Sequence, residues 1–242
     1  MNWAEVIKGT EQPLGIGTTG AARCMLRASG KVVGAILKRG PREHIVAEAF
    51  CALLLHKWGV PVPEFYLTEV DDELAFASVD TSYPNLSQRL SLDSLQQGTP
   101  EYDAVLLHAC QLICALPSAP LAATADEAID NRDRNLGNVL WDGVSEAWID
   151  HAYALGNAKE LMDDVNKLCL MAVATGSAES FSQAAIASWM IIDRKIPAEV
   201  AEAMKEVADL SQPVSEICSR LSSMGNRLTR RFPQPDDLLS EP

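Results

Sequence analysis

The pattern of the chain changes near residue 80, and this change limits the folds that it can adopt. Four strands are predicted before that point, in two hairpins, over residues 22–28, 31–38, 64–70 and 73–79. A helix is predicted between the hairpins, opened by Pro41 and stopped by Gly59. The first third of the chain therefore favours a small antiparallel sheet that carries one helix.

The rest of the chain has mostly helical periodicity. Apolar residues recur at helical spacing from Tyr102 onward. Four further helices are expected at about 159–175, 179–192, 198–210 and 213–230. These patterns predict an α+β fold with two lobes, residues 1–80 rich in strands and residues 81–242 mainly helical.

Charge and composition argue against several classes of protein. The net charge is −13, so the chain lacks the basic surface of a nucleic-acid binder. It has no run of about 18 apolar residues that could cross a membrane. The six cysteines form no C-x-x-C pair, and most lie in apolar stretches, which is typical of free thiols in a reducing compartment. We therefore expect a cytoplasmic protein.

The glycine-rich segment G-I-G-T-T-G, residues 15–20, precedes the first predicted hairpin. Gly15, Gly17 and Gly20 would let backbone N–H groups approach phosphate oxygens, with Thr18 and Thr19 between them. A dinucleotide-binding loop would lead into a helix, whereas the next element here is a predicted strand. A phosphate-covering flap and a plain flexible loop both remain open.

Lys38 ends the apolar strand V-V-G-A-I-L-K, and Glu48 follows ten residues later. Glu48 is the only charged residue in the stretch 45–55, so it lies on an apolar helix face. A buried carboxylate is costly unless it is paired, and Lys38 is a plausible partner. Glu43, nearer the helix start, is a rival. A lysine at the end of a strand can also simply reach solvent.

The segment D-N-R-D-R-N-L-G-N-V-L-W-D-G-V-S-E-A-W-I-D-H-A, residues 130–152, concentrates carboxylates and amides around a predicted hairpin. Asn138 precedes the hairpin and Asp150 follows it, so the two should emerge at the same end. Two such oxygen ligands suit Mg²⁺. Asp133 could accept a proton from an attacking hydroxyl. The alternative is an Asn/Asp-rich turn with helix caps.

The order of these motifs resembles the protein-kinase-like fold, and D-R-N-L-G-N-V-L followed by W-I-D-H-A is most similar to HipA-like kinases and phosphatidylinositol 3-/4-kinases. The resemblance extends over roughly residues 12–160. It implies ATP and Mg²⁺ as cofactors. Lys38 would bind phosphate and Glu48 would anchor it, while Gly15, Gly17, Thr18, Thr19 and Gly20 would cover the nucleotide. Asp133 would be the catalytic base, and Asn138 and Asp150 would be the metal ligands.

The resemblance also implies transfer of the γ-phosphate to a Ser/Thr hydroxyl of a protein, and autophosphorylation of the flap at Thr18 or Thr19. Two departures stand out: Asn135 stands where the family usually has histidine, and His151 stands where eukaryotic kinases have the phenylalanine of D-F-G. A small-molecule or lipid-headgroup kinase, a nucleotide-binding pseudokinase and a nucleotidyl transferase are the alternatives. The acceptor and the oligomeric state are not given by the sequence.

Overall fold

The computed structural model describes residues 1–15 and 20–233. Its first 80 residues contain one antiparallel sheet of six strands: β1 (Glu5–Val6), β2 (Gln12–Pro13), β3 (Ala22–Ala28), β4 (Lys31–Lys38), β5 (Phe65–Val70) and β6 (Glu73–Val79). The order across the sheet is β1-β3-β4-β6-β5, and β2 pairs with β3 beside β1. Both predicted hairpins are confirmed. The two short strands β1 and β2 were not predicted.

The turn between β3 and β4 sets the register that brings Lys38 to the end of its strand. Ala28 pairs with Lys31 across the turn. Ser29 and Gly30 between them both have left-handed backbones, with φ of 48° and 78°. A two-residue turn of this kind matches the twist of the strands that it joins. With the register fixed, Lys38 is the last residue of β4 and pairs with Phe76 of β6.

Helix α1 (Arg42–Trp58) lies between the two hairpins in sequence and packs against β5 and β6. It begins after Pro41 and ends at Gly59, whose left-handed φ of 88° allows the chain to reverse. Phe50 and Leu54 on this helix are fully buried. The predicted helix is confirmed, and its packing fixes the face on which Glu48 lies.

The remainder of the described chain is mainly helical, as predicted. It contains α2 (Leu86–Arg89), α3 (Pro100–Ala115), α4 (Ala119–Ile129), the hairpin of β7 (Val139–Trp141) and β8 (Glu146–Trp148), α5 (Lys167–Ala174), α6 (Ala178–Ile191), α7 (Ile196–Ala203), α8 (Ser211–Ser222) and α9 (Met224–Arg230). Among the described residues, no single helix has the length and hydrophobicity to cross a membrane. The combined pair α3 and α4 does, but it bends by 90° at the junction.

Three helix boundaries differ from the predictions. The helix expected from 159 begins only at Lys167, because the buried Asn166 caps it. The apolar residues at helical spacing before Lys167 do not form a buried helix face, and Leu161 is 69 % exposed. The helix expected over 198–210 ends at Ala203. The helix expected over 213–230 is divided at Ser223, whose φ of −108° and ψ of 9° are not helical.

One large hydrophobic core connects α1 with the helical part of the chain. It includes Phe50 of α1, Ile129 of α4, Trp148 of β8 and Leu221 of α8, all fully buried. A smaller cluster that includes Leu26 and other residues of the sheet forms a separate core. The architecture is thus a mixed one, an antiparallel sheet followed by helices. The division into two lobes near residue 80 stays a prediction.

Candidate active site

Lys38 and Glu48 form a buried ion pair. The Lys38 Nζ lies 2.9 Å from Oε1 of Glu48. The Glu48 side chain is only 3 % exposed, and burial of a carboxylate is costly unless it is paired in this way. Glu43, the rival partner, lies on the exposed side of the same helix.

Asp150 completes a three-membered charge cluster. Its Oδ1 lies 3.1 Å from the same Nζ of Lys38, across 112 residues of sequence. Asp150 has a left-handed backbone with φ of 65°, which is uncommon for a residue with a side chain. The next residue, His151, donates its backbone N–H to Oε2 of Glu48 at 2.6 Å. Glu48 therefore connects the end of β4 to the segment that leaves the β7–β8 hairpin.

The pKa values of Lys38 and His151 are shifted in opposite directions at this site. Burial on its own lowers the pKa of the Lys38 ammonium, but the carboxylates of Glu48 and Asp150 reverse the effect and hold that pKa above its ordinary value. Burial, with the cations of Arg134 and Lys38, holds the pKa of the His151 imidazole well below its ordinary value. The site therefore presents a permanent ammonium beside a neutral imidazole.

Asp133 lies on a loop whose backbone is held by amide side chains. Its N–H donates to Oδ1 of Asn131 at 3.3 Å. Its carbonyl accepts hydrogen bonds from the amide nitrogens of Asn135, at 2.9 Å, and Asn138, at 3.0 Å. These bonds fix the main chain on both sides of Asp133. Its carboxylate is not used in them and is 24 % exposed.

Arg134 ties this loop to the hairpin. Its guanidinium is fully buried and makes two hydrogen bonds with the Asp126 carboxylate, at 2.8 and 2.9 Å. It also donates to the carbonyl of Ile149 at 2.8 Å and lies over the ring of Trp148. A buried arginine of this kind is stable because each of its three side-chain nitrogens has a hydrogen-bond partner.

Asn138 and Asp150 emerge at the same end of the hairpin. The N–H of Ile149, next to Asp150, donates to the carbonyl of Asn138 at 3.0 Å. Since the amide nitrogen of Asn138 is bound to Asp133, its amide oxygen is the atom that could bind a cation. One amide oxygen and one carboxylate are a suitable donor set for Mg²⁺, which keeps further positions for water and phosphate. Among residues 1–15 and 20–233, no three His, Cys, Asp or Glu side chains form a metal cluster.

The glycine-rich segment connects two paired strands. Pro13 of β2 pairs with Ala22 of β3, and the N–H of Leu14 donates to the carbonyl of Ala21 at 3.0 Å. Gly15 and Gly20 both have left-handed backbones, with φ of 64° and 61°. Gly17, Thr18 and Thr19 lie outside the described residues. A strand, not a helix, follows the loop, which excludes a dinucleotide-binding βα turn.

A cavity of about 320 Å³ opens beside the charge cluster. Lys38 and Glu48 line one side of it, and His44, Ala152 and Tyr153 line another. The cavity is therefore formed by the end of β4, the start of α1 and the segment after Asp150.

No protein family and no curated protein match the sequence. Solved structures do match. The crystal structure of the Helicobacter pylori proinflammatory kinase CtkA superimposes with a TM-score of 0.57 and 15 % identity over 95 % of this chain and 97 % of that one. A chain in the Shewanella oneidensis MR-1 toxin–antitoxin complex of HipA, HipB and operator DNA gives 0.53 and 12 % identity, over 90 % of this chain and 65 % of that one.

The chain has the fold of the HipA-like kinases. The likeness to CtkA covers nearly the whole chain. The HipA-like fold therefore includes the helical C-terminal third, residues 161–233, although the sequence of that third shows no recognisable motif.

Asn135, which departs from the motif of HipA-like kinases, and His151, which departs from that of eukaryotic kinases, have local explanations. The Oδ1 of Asn135 accepts the N–H of Gly137 at 2.8 Å, and its amide nitrogen is bound to Asp133. A Cβ at Gly137 would lie 2.9 Å from that Oδ1, so a larger residue there would force the Asn135 side chain to shift. The side chain of Asn135 thus serves the loop. His151 is buried, and its backbone rather than its ring contacts Glu48.

Sequence reasoning missed the residues that support this site within the HipA-like fold. Asp126 and Arg134 form its central buried pair, and Lys167 reaches the Asp133 carboxylate. The pair left a faint signal, since Asp126 interrupts the alanine-rich helix A-A-T-A-D-E-A just before an arginine-containing loop. Lys167 left none.

Proposed function

We propose that this chain is an ATP- and Mg²⁺-dependent phosphotransferase of the HipA-like type. The observation that carries the proposal is the contact of one ammonium, that of Lys38, with Glu48 of α1 and with Asp150 from a distant hairpin. Phosphoryl transfer needs positioned charge more than covalent chemistry, and this cluster provides such charge. In this proposal residues 1–80 and 81–242 are two lobes with the site between them.

Lys38 binds the α- and β-phosphates of ATP, and Glu48 holds its ammonium in place. The flap of Gly15, Gly17 and Gly20, with Thr18 and Thr19, covers the phosphates through its backbone N–H groups. The paired strands on both sides of the flap support this role, because they present it as a hairpin connection.

Asn138 and Asp150 are the residues that would hold Mg²⁺, the first with its amide oxygen and the second with its carboxylate. When bound, the metal neutralises charge on the phosphates. The buried Arg134 keeps these two ligands in place, since it is bonded to the backbone beside Asp150 and to the loop that carries Asn138.

Asp133 accepts the proton of the attacking hydroxyl. Its held backbone and partly exposed carboxylate suit a group that must meet an incoming substrate. A Ser/Thr hydroxyl of a protein is the proposed acceptor, by analogy of fold. An anionic lipid surface is a poorer candidate, because a net charge of −13 disfavours it.

The nucleotide site is tested by the thermal stability of the protein with ATP and Mg²⁺, compared with ATP and a chelator. A ligand that binds only the folded state at a hundredfold excess over its Kd adds about 2.7 kcal/mol to the free energy of unfolding. We expect a clear rise in Tm with Mg²⁺ and a smaller rise with the chelator.

The Asp150→Asn variant should lose the difference between Mg²⁺ and chelator. Asp142→Asn is the matched control, because Asp142 lies at the turn of the same hairpin, where an asparagine can also accept the N–H groups of Val144 and Ser145. If ATP with Mg²⁺ leaves the Tm of the wild-type protein unchanged, the proposed site is wrong.

A further inference from the structure

Lys167 contacts the carboxylate that the proposed reaction uses as its base. The Nζ of Lys167 lies 3.5 Å from Oδ1 of Asp133. The two side chains are 34 % and 24 % exposed, so both can meet a substrate from solvent. Lys167 comes from the first turn of α5, well after the hairpin, and belongs to none of the motifs discussed above.

The position of Lys167 is set by the residue before it. The buried Asn166 donates from its amide nitrogen to the carbonyl of Ala123 in α4, at 2.8 Å. Its Oδ1 accepts the N–H of Cys169, which caps α5. Because α4 leads directly into the loop of Asp133, the lysine and the aspartate are held by the same helix.

The other cations near this loop are bound elsewhere. Arg132 donates to Asp130 and to the carbonyl of Met162. Arg134 is buried and forms an ion pair with Asp126. Within the described part of the chain, Lys167 is therefore the cation that forms an ion pair with Asp133.

The geometry of the pair is typical of a mobile contact. A distance of 3.5 Å between partly exposed groups makes a weak ion pair that contributes little to stability. The lysine can therefore leave Asp133 for a more highly charged neighbour at little cost. The phosphoryl group that approaches Asp133 during transfer is such a neighbour, with negative charge spread over its non-bridging oxygens.

We propose that Lys167 is a further catalytic residue of the phosphotransferase, an inference that rests on the function proposed above. It holds the Asp133 carboxylate in the free enzyme and stabilises the non-bridging oxygens of the transferred phosphoryl group. A positive charge placed where charge develops is a large contribution to catalysis.

Lys167 transfers no proton in the proposed reaction. The acceptor oxygen forms its bond to the γ-phosphorus and gives its proton to Asp133. The bond between the γ-phosphorus and the bridging oxygen breaks, and its electron pair stays on the oxygen of the leaving ADP. Lys167 keeps all its protons and donates hydrogen bonds to the non-bridging oxygens.

The test is the steady-state rate of ADP formation from ATP and Mg²⁺ by the wild-type protein and the Lys167→Ala and Lys167→Arg variants. Loss of the ammonium should lower kcat about 100-fold and leave the KM for ATP within about threefold. The arginine variant should recover at least a tenth of the wild-type kcat. The Tm should fall by about 2 °C or less, as for a weak ion pair.

Lys159→Ala is the matched control, because Lys159 precedes the same helix and pairs with the surface residue Glu216. It should keep the wild-type kcat. An active wild-type enzyme with Lys167→Ala within twofold of it would overturn the inference, as would equal activity of the alanine and arginine variants. A wild-type protein that forms no ADP, whether or not ATP stabilises it, would instead contradict the proposed function itself.

Discussion

The backbone N–H of His151 donates a 2.6 Å hydrogen bond to Oε2 of Glu48, 103 residues earlier in the chain. The other oxygen of the same carboxylate binds Lys38. One buried side chain on α1 therefore holds both the lysine of the sheet and the segment that follows the proposed metal ligand. A movement of α1 would break both contacts together.

Replacing Glu48 with glutamine should destabilise the protein and weaken ATP binding. A glutamine has one acceptor oxygen in place of two, so either the Lys38 ammonium or the His151 N–H must face an amide NH₂ group. Removal of one charged partner from a buried ion pair lowers the free energy of unfolding by about 3 kcal/mol. Urea unfolding measures this change.

The control for this variant is Glu43→Gln on the exposed side of the same helix, with an expected change within about 0.5 kcal/mol. Equal effects of the two substitutions would show that the pairing of Glu48 has no particular importance.

Asp126→Asn should be among the most damaging single-atom changes in the chain. It leaves the fully buried guanidinium of Arg134 without its counter-charge, and burial of an unpaired charge costs about 3–5 kcal/mol. The loop of Asp133 should loosen as a result, so activity should fall even at temperatures where the variant is folded. Unfolding in urea together with ADP formation at 15 °C would measure both effects.

Asp72→Asn, in the exposed turn between β5 and β6, is the control, since asparagine also tolerates the left-handed φ of 64° found there. An Asp126→Asn protein as stable and active as this control would contradict the supporting role of the pair.

Local patterns predicted much of the fold. The hairpins and α1 were found because alternation, turn residues and a helix-ending glycine act over a few residues. Glu48 is predictable from the sequence because it is the single charge on an apolar helix face. Periodicity failed at 159–166, where apolar spacing is present but Leu161 is exposed, since nothing packs over it in the described structure.

The supporting network could not be predicted in the same way. The partners Asp126 and Arg134 lie on different elements, and Lys167 meets Asp133 only because Asn166 attaches α5 to α4. Contacts of this kind depend on tertiary packing, which single-sequence patterns do not encode.

The stability of the protein should depend on pH through His151. Its pKa in the folded state lies well below the ordinary value because of burial and the nearby cations of Arg134 and Lys38, partly offset by Asp150. The unfolded chain takes up a proton near pH 6.5, and the folded protein does so only at lower pH. The free energy of unfolding should therefore fall by up to about 1.4 kcal/mol per pH unit below pH 6.5.

The His151→Leu variant removes this contribution of His151 to the pH dependence, because leucine does not titrate. The leucine side chain has a volume similar to that of histidine. Among the described residues neither ring nitrogen of His151 has a hydrogen-bond partner, so the replacement should keep or raise stability at pH 7.5. Unfolding curves from pH 7.5 to 5.0, in the presence of a chelator, should diverge between the two proteins. Parallel pH dependence would show that His151 does not titrate in this way.

Thiol labelling should identify one fast-reacting cysteine. All six cysteines are free; Cys218 is exposed, and Cys114 is partly buried. Burial raises the pKa of Cys51 well above the ordinary value and that of Cys169 to about 12, so these thiols stay protonated and unreactive. Ellman's reagent at pH 8 should modify about one thiol rapidly, and Cys218→Ser should remove that phase. Rapid reaction of several thiols in the folded protein would contradict the described core.

The most direct test of the phosphotransferase assignment uses ATP that carries radioactive phosphorus at either the γ- or the α-position. The protein is incubated with this ATP and Mg²⁺, and the fate of the label is followed. We expect the γ-label to leave ATP and appear on the protein or on an acceptor in a cell extract, while the α-label remains in ADP. The Asp133→Asn variant should lose this transfer and keep the stabilisation by ATP. Transfer of the α-label would show nucleotidyl transfer, and no transfer of either label by a protein that binds ATP would show that the site binds without turnover. Either result would contradict the proposed phosphotransferase activity.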